Sequence, residues 1–131
     1  MNETPSKRYR VLVVDDSLDT ANTLTYLLRD SGHITEYALT GAAALDVARR
    51  HRPEVIFLDI GLPDYDGVKL AKDIRKTPGF EKTHIIALTG RNCDDEHRAL
   101  EAGCDRFISK PLDPRTLEKI ISESFEQVAG H

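Results

Sequence analysis

Four short apolar runs punctuate the chain: Val11 to Val14, Val55 to Leu58, Ile85 to Leu88, and Phe107 with Ile108. The first three are unbroken and rich in Val and Ile, which is how a parallel strand buried on both faces reads. A fifth run, 34–38, alternates Ile34, Glu36 and Ala38 against Thr35 and Tyr37, so one side can be wet and the strand belongs at a sheet edge. Helical signals fill the gaps. Ser17 can cap a helix that carries Ala21, Leu24, Leu27 and Leu28 and stops at Gly32. Thr40 can cap a second, with Ala44, Leu45 and Ala48 on one face. A third is expected from about Gly67 to Lys76, ahead of Pro78. Asn92 can cap a fourth, with Asp94, Asp95 and Glu96 favourably placed against the helix dipole and Gly103 as its stop. The last is the clearest: Asp113 caps, Pro114 takes the first helical position, and Leu112 with Leu117 forms a hydrophobic staple. Its apolar face is Leu117, Ile120, Ile121 and Val128.

The order is β-α five times over, with short connections. Alternating units of this kind predict an α/β fold, a parallel sheet with helices on both faces. Right-handed crossovers leave few topologies. The doubly wound, five-stranded order 2-1-3-4-5, a flavodoxin-like (βα)5 arrangement, puts the half-polar second strand at an edge. At 131 residues the chain is one domain; residues 9–128 are expected to form it, with 1–8 as a flexible N-terminal tail.

Composition narrows the classes. Hydrophobic residues make up 40% and charged ones 31%, a globular balance. No apolar run approaches the ~20 residues of a membrane span, and MNETPSKRYR has no apolar stretch after its charges, so no signal peptide is read there. A formal charge of −4 argues against direct nucleic-acid or anionic-membrane binding. Cys93 and Cys104 flank one helix; at ~1.5 Å per residue they stand roughly 16 Å apart, too far for a disulfide. They read as free thiols of a reducing, cytoplasmic compartment. The five histidines lack metal-ligand spacing and read as solvated surface groups.

The chemistry lies just after the central strands. Asp15-Asp16 follows the first, Asp59 the third, Thr89 the fourth, and Lys110 the fifth. In a parallel sheet these positions share one edge, and strands 1 and 3 are neighbours roughly 4.8 Å apart. Two carboxylates 4 Å apart repel by about 4 kcal/mol at an effective dielectric of ~20. Either one stays protonated or a cation neutralises them. Oxygen-only ligands favour a hard cation: Mg2+ first, with Mn2+ also suitable. Thr89 adds a neutral donor and Lys110 a cationic one, which together with a metal could neutralise a transferring phosphoryl group. The nucleophile would be a carboxylate, and Gly90 would leave room for the incoming group. Singly, each residue has a plainer explanation: a cap, a turn aspartate, a solvated lysine. Jointly, four polar placements of complementary charge at one edge favour the functional one.

These residues resemble a known family, the receiver domains of two-component response regulators. The matching segments are VLVVDDS at 11–17, VIFLDIGLPDYDG at 55–67, IIALTG at 85–90 and FISKPL at 107–112. The resemblance covers about Arg10 to Phe125. It implies that Asp59 is the phosphoacceptor and that Asp16 binds Mg2+ directly and Asp15 mostly through water, with the backbone carbonyl of Gly61 completing the protein ligands. Thr89 and Lys110 would hold phosphoryl oxygens, Phe107 would be a switch aromatic, and Lys110-Pro111 would be cis. The donor would be a histidine kinase or a histidine phosphotransfer protein, the domain would catalyse its own phosphorylation and dephosphorylation, and the α4-β5-α5 surface would respond.

Tyr65 departs from the commonest pattern, where Met or Leu is frequent. Gly61 and Arg91 occupy two positions that tune dephosphorylation in the family, which leaves the phosphate lifetime open. Two other classes compete. A haloacid dehalogenase-type phosphatase would need a DxD motif after strand 1 and a cap domain. A flavin module would need a Ser/Thr/Gly-rich loop where two aspartates stand. No effector segment follows Phe125. Such a chain is expected to work by phosphorelay or docking, as a monomer or a phosphorylation-dependent dimer, or to be excised from a hybrid kinase or larger regulator. The leading Met favours a natural start.

Overall fold

Each unbroken apolar run becomes an interior strand, because two cores share it. In the computed structural model, which describes residues 8–62, 66–89, 95–110 and 112–129 (backbone alone at 95, 96 and 124–129), the elements alternate from end to end. They are β1 (Arg10–Val14), α1 (Leu18–Asp30), β2 (Ile34–Ala38), α2 (Gly41–His51), β3 (Val55–Asp59), α3 (Gly67–Lys76), β4 (His84–Thr89), α4 (Asp95–Glu101), β5 (Arg106–Ser109) and α5 (Pro114–Ala129). The sheet is parallel with order β2-β1-β3-β4-β5, the doubly wound order anticipated from the sequence.

Side chains of a strand alternate between faces. Leu12, Val14, Ile56, Leu58, Ile85 and Ala87 pack with α2, α3 and α4. Val11, Val13, Val55, Phe57, Ile86 and Leu88 pack with α1 and α5. An apolar residue is therefore required at 11–14, 55–58 and 85–88, and Leu12, Ile56, Phe57 and Leu58 are wholly buried. Truncating one such leucine to alanine costs about 3 kcal/mol.

Three helices start at the caps read from the sequence. Ser17 Oγ accepts from Thr20 N–H at 3.3 Å, Thr40 Oγ1 from Ala43 N–H at 3.0 Å, and Asp113 Oδ1 from Thr116 N–H at 2.7 Å. Leu112 and Leu117 join the same apolar cluster. Gly32 and Gly103 end α1 and α4 with φ of 99° and 107°, a left-handed backbone that side chains resist.

One expectation is corrected, that for the histidines. In β2 the exposed Ile34 and Glu36 share one face, the wetter side anticipated for an edge strand, with Ala38 buried at its end, and Thr35 lies buried on the other face. β2 is an edge strand, and α1 and α2 both pack on it. The histidines are not uniformly solvated. His33 and His84 are buried, and His51 is half-buried with Nε2 at 3.1 Å and 3.2 Å from the carbonyls of Val11 and Ile34. His33 accepts the Tyr9 N–H on Nδ1 and stacks on the Tyr9 ring. Only His97 is exposed among the described histidines. The expectations for the tail before Arg8, for Tyr65, Gly90, Arg91, Asn92 and Cys93, and for the Lys110-Pro111 bond fall outside the described residues. So do those for the Val128 side chain. Cys104 is buried and free.

Candidate functional site

The C-terminal ends of β1, β3, β4 and β5 gather the polar residues singled out in the sequence. Asp15 extends β1 by one step, donating its N–H to Ala38 O at 3.1 Å. Its side chain is wholly buried, and Oδ1 accepts the Ser17 N–H at 2.9 Å. That turn aims the chain into α1 and leaves Asp16 exposed at the rim. Asp59 ends β3 opposite Leu88 of β4. Its Oδ1 accepts the Gly61 N–H at 2.8 Å, and a side chain begun at Gly61 would stand 3.4 Å from that oxygen.

Lys110 reaches back into this cluster. Its backbone N–H is tied to Thr89 O at 2.7 Å, which fixes the start of the segment after β5. Its Nζ lies 2.7 Å from Asp15 Oδ2 and donates to Asp59 Oδ2 at 3.1 Å. The Asp15 contact is poorly angled for a hydrogen bond, so it is an ion pair held by charge and proximity. Burial alone would pull the lysine pKa down. The close contact with Asp15 and the charge and hydrogen bond of Asp59 outweigh it, and Lys110 is held above its ordinary value.

One carboxylate oxygen each from Asp15, Asp16 and Asp59 lies within 4.8 Å of the others. Among the described residues, three carboxylates face a single ammonium. The donor set is all oxygen, closely spaced and undercompensated, which fits a hard divalent cation. Thr89 is the last residue of β4 and is buried. Phe107 in β5 is half-buried and packs toward the α2–α4 side. A groove of about 260 Å³ between α1 and the segment after β5, bordered by Thr20, Leu24, Leu88 and Leu112, opens onto Lys110.

Sequence reading missed how the floor of the site is built. Asp66 caps α3, with Oδ1 on the Val68 N–H at 2.9 Å and Oδ2 on Arg98 of α4 at 3.2 Å. Gly67 then lies against the residue after Asp59: a Cβ there would fall 2.3 Å from Ile60 Cα. Only glycine lets α3 start this close to the end of β3. The adjoining Asp-Gly was visible, but nothing local identified its contact.

A protein-family model described as the response regulator receiver domain matches residues 11–122. The polar-differentiation response regulator DivK of Brucella anthropi is 35% identical over 114 residues, covering 86% of this chain and 93% of that protein. Among solved structures, the chemotaxis response regulator CheY4 of Vibrio cholerae superposes with a TM-score of 0.84 at 28% identity, over 90% of this chain and 99% of that one. A receiver domain protein from Methanospirillum hungatei gives 0.84 at 29% identity, over 95% and 100%. Among the described residues, no helix is long and apolar enough to cross a membrane.

Proposed function

The chain belongs to the response regulator receiver family, and from that premise we propose that Asp59 is the side chain that takes the phosphoryl group. Receiver domains are phosphoacceptors of two-component signalling, so a kinase or phosphotransfer partner is implied. The observation that carries the assignment to Asp59 is its position: at the end of a central strand, beside Asp15 and Asp16, with Lys110 Nζ 3.1 Å from one oxygen.

The step is an in-line displacement. An Asp59 carboxylate oxygen attacks phosphorus, the P–N bond of a donor phosphohistidine breaks, and its electron pair returns to the imidazole. Asp15, Asp16, Asp59 and the Gly61 carbonyl would hold Mg2+, or Mn2+ in its stead, and such a cation would supply neutralisation of charge on the carboxylates and the phosphoryl group. Lys110 leaves its two carboxylates and donates to a second phosphoryl oxygen; the Thr89 hydroxyl donates to a third. Gly90 leaves the access position small. The domain thereby positions its own substrate and catalyses its own phosphorylation and dephosphorylation, rather than turning over a separate one. Movement of Thr89 toward the phosphate lets Phe107 turn inward, and the α4-β5-α5 surface reports the change. The donor is a histidine kinase or histidine phosphotransfer protein in the cytoplasm. The functional unit is 9–128, and it acts as a monomer or a phosphorylation-dependent dimer.

The test is intact mass after incubation with acetyl phosphate and Mg2+. The native chain is expected to gain one phosphoryl group, and Asp59→Ala none. Equal labelling of both, or no labelling of either, would refute the assignment.

A further inference from the structure

Away from the acidic edge, the charge balance reverses. The chain carries −4 overall, yet α3 holds four cations, Lys69, Lys72, Arg75 and Lys76, against Asp73 alone. Lys69, Lys72 and Lys76 recur at helical spacing and border a groove of about 500 Å³ between α3 and α4, whose far wall carries Arg98 and Glu101. Lys69 pairs with Asp73 at 3.1 Å and Arg98 with Asp66 at 3.2 Å. Lys72 and Lys76 are exposed, one helical turn apart, and among the described residues neither is in an ion pair.

We propose that this groove docks an acidic segment of a partner protein, with Lys72 and Lys76 as its principal contacts. A row of cations along about 10 Å of helix suits carboxylates repeated along a peptide better than one isolated anion. Asp66, Asp73 and Glu101 line the same groove, where they can accept from a basic residue of a peptide but would repel closely spaced phosphates. The occupant is therefore a mixed-charge, predominantly acidic protein segment. The inference does not rest on the phosphoacceptor assignment, since the groove is formed without phosphate or metal.

The test uses the full chain, unphosphorylated and without Mg2+, at low ionic strength, where exposed charges are least screened. A fluorescently labelled peptide of Glu and Ala is titrated with it and followed by anisotropy. Saturable binding is expected, weakened roughly tenfold in Lys72→Gln/Lys76→Gln, a loss within reach of two surface ion pairs. The control removes equal charge from α2, in Arg49→Gln/Arg50→Gln, and should bind like the parent. All four positions are exposed, and thermal melts matching the parent will establish that the variants fold. Absence of binding, equal weakening in both variants, or equally tight binding of an oligonucleotide of the same charge would each overturn the proposal.

Discussion

Cations at the two ends of the sheet are satisfied in different ways. At the N-terminal ends of the strands they finish mainly on backbone. Arg75 Nη1 donates to the carbonyls of Phe80, Glu81 and Thr83, while Nη2 donates to Gly103 O at 2.7 Å and Asp105 Oδ2 at 3.1 Å. One guanidinium thus clamps α3 to the segments that lead into β4 and β5. At the C-terminal ends Lys110 finishes on Asp15 and Asp59, two side chains of the oxygen cluster that fits a cation. Backbone carbonyls have nowhere else to go, so the first arrangement fixes the chain. Carboxylates can exchange their partner for a ligand, so the second can be rearranged. The lesson is that polar residues equally conspicuous in sequence do different work according to whether their partners are replaceable.

The sharpest way to break this comparison is to remove each cation. Lys110→Ala leaves Asp15 buried without its counter-charge and should lose roughly 3 kcal/mol by urea denaturation. Mg2+ should recover most of that loss, because the cation replaces the missing charge and binds only the folded state. Labelling by acetyl phosphate should slow about a hundredfold, the effect of deleting one donor to a transferring group. Arg75→Ala should lose a comparable amount, about 2–3 kcal/mol. Mg2+ should restore none of the Arg75→Ala deficit beyond its effect on the parent, and the folded protein should label at the parental rate. If Mg2+ repaired both variants alike, the distinction between the two ends would fail.

Gly67→Ala probes the floor shared by structure and chemistry. Its Cβ has no room against Ile60, so the start of α3 must move, at a cost of about 2 kcal/mol. Because Ile60 follows Asp59 directly, labelling should slow as well. A variant as stable as the parent in urea would show that α3 does not need this contact.

Proton linkage gives the smallest effects, and opposite signs at the two ends. Lys110 has its folded pKa raised, so its contribution is complete below the ordinary lysine value and is lost as pH rises through the folded one. Burial lowers the His33 pKa, with Glu118 opposing. Its contribution is complete above the ordinary histidine value and is lost as pH falls through the folded one, because a protonated Nδ1 cannot accept from Tyr9. Urea midpoints across pH should therefore fall at both extremes, the acid limb shallower in His33→Gln.

Much of this was legible in the chain, for identifiable reasons. Burial on both faces forces unbroken Val and Ile runs, which made β1, β3 and β4 plain. Parallel topology then carried Asp15, Asp16, Asp59, Thr89 and Lys110 to one edge by arithmetic alone. The sequence could not say that Lys110 would bridge two carboxylates, because charge complementarity does not fix pairing. It was silent on Arg75, whose partners are mostly carbonyls and carry no residue signature. His33 and His84 were misread for a related reason: a lone histidine held by packing and backbone looks like any surface one.

Acyl phosphates are reduced by borohydride, turning the modified aspartate into homoserine, so the acceptor can be located by peptide sequencing after acetyl phosphate treatment in Mg2+. Conversion at Asp59 alone is the result this account predicts. Conversion at Asp15 or Asp16, or at no aspartate of the cluster, would contradict it.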